Sequence, residues 1–474
     1  MMKKRLGQQM LDNKIVTTEQ VREALRRQRL HGGRLGQNLL SLGYITEDQL
    51  ESFLQKTPYA PQTVADTGLD LEFITDLALK HIVTMQTFRL SDLSARLGLT
   101  SAIVDEAIDL LRKRKLVEVQ DATQFVRSSY NFVITELGKV RGNELMEICR
   151  YIGPAPVTLG DYREMVENQS VRNILVNDAG IRQAFSEIVV GENLLKRLGP
   201  AISSGMPMFV YGPPGNGKTT IAETIGDLLP EPIYIPHALF VGGQIINIYD
   251  PVNHFPAKQE DRPEAREEVP VDQRWILIHR PVVITGGELT LRMLDLEFNT
   301  IAKFYEAPLQ MKANNGLFLV DDFGRQQMEP QSLLNRWIYN LDRQLDFMSL
   351  HTGMKFEIPF DQLVIFATNL EPKTLVDEAF LRRIRYKIKI DHPNEIEFQE
   401  IFRRVCRTHA IPFRDDMFTY LLEHWYRRFD RPLNACHPRD LVNHVVDMSR
   451  YHGITPELTR DNLDMACENY FIDV

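Results

Sequence analysis

The spacing of apolar positions changes several times along the chain, and each change marks a segment. In residues 1–57 the apolar positions recur at helical spacing in two similar blocks. Arg5-Leu6-Gly7-Gln8 returns as Arg34-Leu35-Gly36-Gln37. At a period of 29, segments 5–28 and 34–57 also share Leu11/Leu40, Thr17/Thr46, Gln20/Gln49 and Leu25/Leu54. Each block predicts a helix pair. The first helix ends near Lys14 or Gly43, and Thr17 or Thr46 caps the second, which carries Val21–Leu25 or Leu50–Leu54. Neither block can bury a core alone, so the two are expected to pack together. Tyr59–Asp70, with Pro61 and Gly68, interrupts the pattern and reads as part of a linker over 59–81.

Between 82 and 150 the pattern predicts a winged-helix-like domain. Leu90–Leu97 forms one short helix and Gly98 the turn. Thr100 or Ser101 then caps a second helix with Ile103, Ala107, Ile108 and Leu111 on one face. Leu116–Val119 and Asn131–Thr135 read as wing strands. A DNA-reading version would place that second helix in the major groove. Here it presents Asp105, Glu106 and Asp109, which repel phosphates, so protein contact or a structural role is the favoured expectation.

Farther on, short apolar runs suited to buried strands appear: Met208–Tyr211, Leu317–Val320 and Leu363–Thr368. They alternate with helical stretches and predict an α/β core over 151–391. Four helical stretches follow within 392–474: Ile396–Cys406, Met417–Phe429, Pro438–Tyr451 and Arg460–Tyr470. No apolar run approaches the ~20 residues of a membrane span. The chain has 474 residues, 43% hydrophobic and 25% charged, which excludes a wholly disordered or collagen-like chain. Cys149, Cys406, Cys436 and Cys467 form no CxxC pair and fit free thiols in a reducing cytoplasm. The net charge of −9 is uneven: residues 1–57 carry 10 Lys+Arg and 6 Asp+Glu, whereas residues 151–474 carry 34 and 45. That acidic body argues against general nucleic-acid binding.

The strand-like run ending at Tyr211 leads directly into Gly212-Pro213-Pro214-Gly215-Asn216-Gly217-Lys218-Thr219-Thr220, a full G-x-x-x-x-G-K-[ST] P-loop. Its glycines let backbone N–H groups approach a triphosphate. Lys218 supplies charge for the β- and γ-phosphates, and the Thr219 hydroxyl suits Mg²⁺. Ile221, Ala222, Ile225, Leu228 and Leu229 continue as a helical stripe, placing the loop at a helix N-terminus. Leu317–Val320 ends in Asp321, a second Mg²⁺ residue through water, and Asp322, which would orient or deprotonate the attacking water. Leu363–Thr368 ends in Asn369, whose amide can help hold that water.

The order of P-loop, apolar strand with Asp-Asp, Ala-Thr-Asn and then Asp377–Arg385 resembles the AAA+ ATPases. That resemblance implies ATP hydrolysis with Mg²⁺ and a homo-oligomeric ring, expected to be hexameric. It makes Asn369 the sensor 1 residue and Arg382 and Arg385 the paired fingers acting on a neighbouring subunit, with Arg383 a rival for one place. His437-Pro438-Arg439-Asp440-Leu441 resembles sensor 2, so Arg439 acts in cis from a helical lid. Val190-Gly191 matches the adenine-side segment. Two features depart from the family. Asp322 replaces the usual Glu and is one methylene shorter. Lys218 and Asp321 lie 103 residues apart, and Phe255–Pro270 reads as an inserted loop. A hairpin expected from Phe347–His351, Gly353 and Lys355–Ile358 is similar to that of MoxR-like and other hairpin-bearing groups. The module looks most like bacterial ATPases described as having chaperone activity.

The N-terminal repeat is similar to the N-terminal domains of type II secretion and type IV pilus ATPases, some of which bind cyclic di-GMP. The resemblance implies contacts from Arg5, Leu6, Gly7, Gln28, Arg34, Leu35 and Gly36. The first block departs in having Lys14 where that family has Gly, and the second in having Thr57 where the first has Gln28. The expected organisation is therefore a helical repeat module at 1–58, linker 59–81, winged-helix-like domain 82–150, AAA+ core 151–391 and lid 392–474. The expected function is ATP-driven remodelling or assembly of a protein partner, linked to pilus or secretion machinery. The alternatives are a DNA-binding regulator switched by ATP and an inert nucleotide-binding scaffold.

Overall fold

The computed structural model describes residues 7, 10–11, 14–31, 35–46, 49, 57–121, 130–174, 176–229, 231–258 and 270–471. The repeat is visible in its local geometry. Lys14 (φ +58°) and Gly43 (φ +70°), 29 residues apart, both take the left-handed conformation that ends a helix. Their amides donate to Leu11 O and Leu40 O, and the next amides donate to Met10 O and Leu39 O. Thr17 and Gln20 cap each other reciprocally, as do Thr46 and Gln49. Met10, Val16, Val21 and Ala24 of one unit share a core with Leu39 and Ile45 of the other. The second helix of the first unit is longer than its sequence core, running Thr18–His31. Leu50–Leu54 lies outside the described residues.

The expected linker is structured, and this corrects the 59–81 boundary. Thr63 and Asp66 form a capping box for a short helix that Gly68 ends. Leu71–Met85 is then a full helix. Its Ile74, Leu77, Ala78 and Ile82 recur at helical spacing and pack with Leu93, Leu97, Ile103, Ile108 and Leu111. The true break in the pattern is thus the Pro61–Gly68 stretch alone. Helices Leu90–Leu97, Ser101–Lys113 and Glu136–Ile148 follow. A three-stranded antiparallel sheet places Asn131–Ile134 between Thr87–Phe88 and Val117–Asp121.

Five strands form a parallel sheet: β1 Met208–Tyr211, β2 Val282–Thr285, β3 Leu317–Val320, β4 Leu363–Thr368 and β5 Tyr386–Lys389. Their order is β2-β3-β4-β1-β5, with every pairing parallel. β1, β3 and β4 are near-continuous apolar runs because both sheet faces are covered. Trp337 is fully buried on one face, edge-on to Phe318 and Phe360.

The long stretch between the P-loop and Asp321 is more than a loop. A second five-stranded sheet runs in the order Glu297–Asn299, Phe304–Glu306, Gln244–Asn247, Ala238–Val241 and Val157–Thr158. Ile233–Pro236 pairs separately with Trp275–Ile278. Within the expected inserted loop, Pro256 bridges Ile278 and the Ala257 amide donates to Leu277 O; residues 259–269 lie outside the described set. Ala238, Ile245 and Ala155 join the core of the preceding helical domain, so packing is continuous across the expected boundary at 150. The expected hairpin is present as Leu345–Ser349 paired with Lys355–Pro359. Four helical segments close the chain: Glu395–Thr408, 415–429 (which passes through a π turn at Leu422–Tyr426), His437–His452 and Arg460–Tyr470.

Candidate functional site

The crevice lies at the C-terminal ends of β3, β4 and β1, where a parallel sheet presents ligand-binding loops. β1 feeds the P-loop, and Gly217 (φ +77°) starts the helix Lys218–Asp227 with no side-chain cap. The first N–H groups of that helix are left to an anion. Gly212 has φ +144°, and a Cβ there would meet Ile390 O at 2.0 Å, so only glycine fits. Lys218 is buried, and its Nζ donates to Gly212 O at 3.0 Å and Pro213 O at 2.9 Å. Burial lowers its pKa, and Asp321 and Asp322 oppose that shift. Pro214, Gly215 and Thr220 are exposed.

A chain of hydrogen bonds links the three strand ends. Thr219 Oγ1 donates to Asp321 Oδ2 at 2.8 Å. The Asp322 amide donates to Asp321 Oδ1 at 2.9 Å. Asn369 Nδ2 donates to Asp322 Oδ1 at 3.0 Å. Asp322 is left-handed (φ +47°), which costs a non-glycine residue on the order of 1 kcal/mol. The hydroxyl of Thr219 and the carboxylate of Asp321 are hard oxygen donors that suit Mg²⁺. The uncapped helix start and the buried Lys218 ammonium suit a phosphate chain. The residues present therefore fit a Mg²⁺-nucleotide.

The C-terminal helical segment touches the P-loop directly. Gly215 O accepts from the Cys436 amide at 2.8 Å, and Asn216 Oδ1 accepts from the Ala435 amide at 3.0 Å. Arg439, three residues beyond Cys436, is exposed and lies 3.3 Å from Asp440. Val190 packs against the core behind the P-loop. Gly191 caps the helix Glu192–Ser204, and a Cβ on it would come within 2.6 Å of Glu397 Oε1 in the lid. Arg382 and Arg385 are exposed, with Arg382 3.7 Å from Glu378. Arg383 is tied to Asp342 at 2.8 Å, which engages it within its own chain.

Among the residues expected at the N-terminus, Gly7 and Gly36 are buried and Gln28 and Leu35 half-buried. A Cβ on Gly7 would come within 2.8 Å of Leu35, so Gly7 of the first unit packs closely on the second. Arg5, Leu6 and Arg34 lie outside the described residues.

Residues 394–469, within the C-terminal helices, match a family described as a domain of unknown function, DUF8689. No curated protein matches the chain. Solved structures similar to it include the Thermotoga maritima RuvB Holliday junction branch migration motor, 17% identical over 60% of this chain and 71% of its own, with a TM-score of 0.34. Domain III of the Thermotoga maritima replication initiation protein DnaA is 13% identical over 62% and 98%, with a TM-score of 0.35. NtrX from Brucella abortus is 13% identical over 64% and 60%, with a TM-score of 0.36.

Sequence reasoning missed three contributors. His392 places Nδ1 3.0 Å from Leu433 O and 3.4 Å from Asn216 Nδ2. Cys436 meets Gly215, and Gln326 braces the Asp321–Asp322 turn. Cys436 adjoins the His437–Leu441 motif, which is a usable signal; nothing in the local sequence singles out His392 or Gln326.

Proposed function

We propose that the chain is an AAA+ ATPase that hydrolyses ATP to remodel or assemble a protein partner. The observation that carries this reading is the hydrogen-bonded series Thr219–Asp321–Asp322–Asn369 across three adjacent strand ends beside the P-loop. Lys218 and the amides at the helix start would bind the phosphates. Thr219 and Asp321 would hold Mg²⁺, which when bound neutralises charge developing on the transferred phosphoryl group. Asp322 orients water and accepts its proton, and Asn369 holds the Asp322 carboxylate.

The exposure of Arg382 and Arg385, against the Asp342-bound Arg383, supports the first two as groups offered to a neighbouring subunit in a ring, hexameric in this reading. Arg439 acts from the lid. Phosphate release per subunit should rise with protein concentration as subunits assemble. Arg382→Ala or Arg385→Ala should lower it only in assembled protein. Full activity of both variants would remove the finger assignment.

The N-terminal repeat pair and the winged-helix-like domain would select the partner. The acidic face of helix Ser101–Lys113, where Arg112 already lies 3.5 Å from Asp109, gives a DNA-binding regulator less support. The basic repeat module would also take an anionic ligand. Arg5, Arg34 and Gln28, beside Leu6-Gly7 and Leu35-Gly36, are the contacts through which cyclic di-GMP would bind, and the same resemblance suggests pilus or secretion assembly as the setting. Calorimetry of the full chain with cyclic di-GMP tests this; no heat at high micromolar ligand ends it.

A further inference from the structure

Gln326 is the side chain that ties the Asp321–Asp322 turn to the segment following β2. Its Nε2 lies 2.9 Å from Asp321 O, 3.3 Å from Asp322 O and 3.3 Å from Gly286 O. Its Oε1 accepts from the Gly324 amide at 2.8 Å. The turn it braces is tight: Asp322 and Gly324 both have positive φ, and a Cβ on Gly324 would lie 2.7 Å from Leu375. From that left-handed backbone the Asp322 carboxylate reaches Asn369 Nδ2. At the other end, Gly286 begins the 286–294 segment, which is anchored in the core by the buried Leu289 and Leu294. Its amide is held by Glu288 Oε1 at 2.8 Å, and Leu291 and Met293 are exposed.

We propose that Gln326 is a positioning residue that sets the aim of Asp322 and couples it to the 286–294 segment. The proposal rests on the ATPase reading. It follows from the bonding pattern. One amide group serves the two carbonyls of the acidic turn and the first carbonyl of the 286–294 segment, so displacement of Gly286 redistributes the bonds that hold Asp322. Gln326 meets Asp321 and Asp322 only at their backbone carbonyls and shares no bond with Lys218 or Thr219, so the phosphate contacts are expected to survive its loss. A change in aim with no change in binding appears in kcat and leaves KM and Kd unchanged.

The test compares wild type, Gln326→Met and Gln326→Ala in steady-state phosphate release and in equilibrium binding of Mg²⁺-ATP, with thermal unfolding of each. Methionine keeps the length of the side chain and removes every bond. Both variants should lose about tenfold or more in kcat, a size in keeping with misplaced catalytic groups. Kd should stay within about twofold of wild type, as expected for a loss confined to the transition state. Wild-type kcat in Gln326→Met overturns the proposal, because packing alone would then suffice. A parallel loss of ATP binding overturns it too, since the role would be structural. A wild type that binds ATP and never releases phosphate overturns the ATPase reading and this proposal with it. The coupling is read in the Glu288→Ala, Gln326→Met double variant. Glu288→Ala releases the Gly286 amide and should lower kcat in wild type and leave it unchanged in Gln326→Met; additive effects, or no effect in wild type, overturn the coupling.

Discussion

Asn216→Ala tests how the C-terminal helices, the lid of the proposed function, are held against the P-loop. The Asn216 side chain is 5% exposed and accepts from the Ala435 amide at 3.0 Å. Alanine leaves that partly buried amide without its acceptor, at a cost of about 1–3 kcal/mol. The Cys436–Gly215 bond is between backbone atoms and survives, so the lid should loosen but stay folded. Its core of Phe398, Phe402, Leu421, Leu441 and Val445 is untouched. At 1.4 kcal/mol per tenfold, the docked state loses a factor of roughly 5–140 against the undocked state. ATP affinity falls by that factor only once the undocked state is populated, so the weakening measured by calorimetry is bounded by it. Amide hydrogen exchange at 433–437 reports the docking itself and should accelerate by the same factor. Unchanged exchange at these amides would refute the reasoning, whatever the affinity.

Acid should loosen the same contact. Burial depresses the His437 pKa to about 4, and the ring lies 2.9 Å from Tyr426 Oη. The unfolded chain takes up this proton near pH 6.5 and the folded one refuses it. Stability is therefore lost as pH falls from about 6.5 toward 4, by at most about 3 kcal/mol. Thermal unfolding from pH 7 to 4.5 should show His437→Gln to be less pH-sensitive than wild type; equal sensitivity refutes the assignment. Trp337→Ala empties a fully buried site between Phe318 and Phe360 and should cost about 3–5 kcal/mol in denaturant unfolding. A cost under 1 kcal/mol would mean the core there collapses freely.

Much of the site could be read from the sequence because its signals are local. A P-loop needs glycines and a lysine at fixed spacing, and an acid at the end of a four-residue apolar strand is visible by eye. Lys14 and Gly43 show the same in the repeat, since one left-handed turn at a 29-residue period carries both units. What escaped is tertiary. The second sheet is built from strands of two to four residues, and the Gly242-Gly243 pair between Ala238–Val241 and Gln244–Asn247, a hairpin signal in principle, went unread. The helix Leu71–Met85 was hidden by the Pro61–Gly68 break just before it. Gln326 and His392 act through carbonyls and side chains brought together by the sheet, and no spacing along the chain records that.

Single-turnover phosphate release bears most directly on the central claim that Asp322 serves hydrolysis at a P-loop site. Assembled wild-type protein, Asp322→Asn and Lys218→Ala would be compared with Mg²⁺-ATP, with binding measured in parallel. The account predicts that wild type binds and releases phosphate, that Asp322→Asn binds with similar affinity and releases almost none, and that Lys218→Ala fails to bind. Phosphate release by Asp322→Asn at the wild-type rate would contradict it.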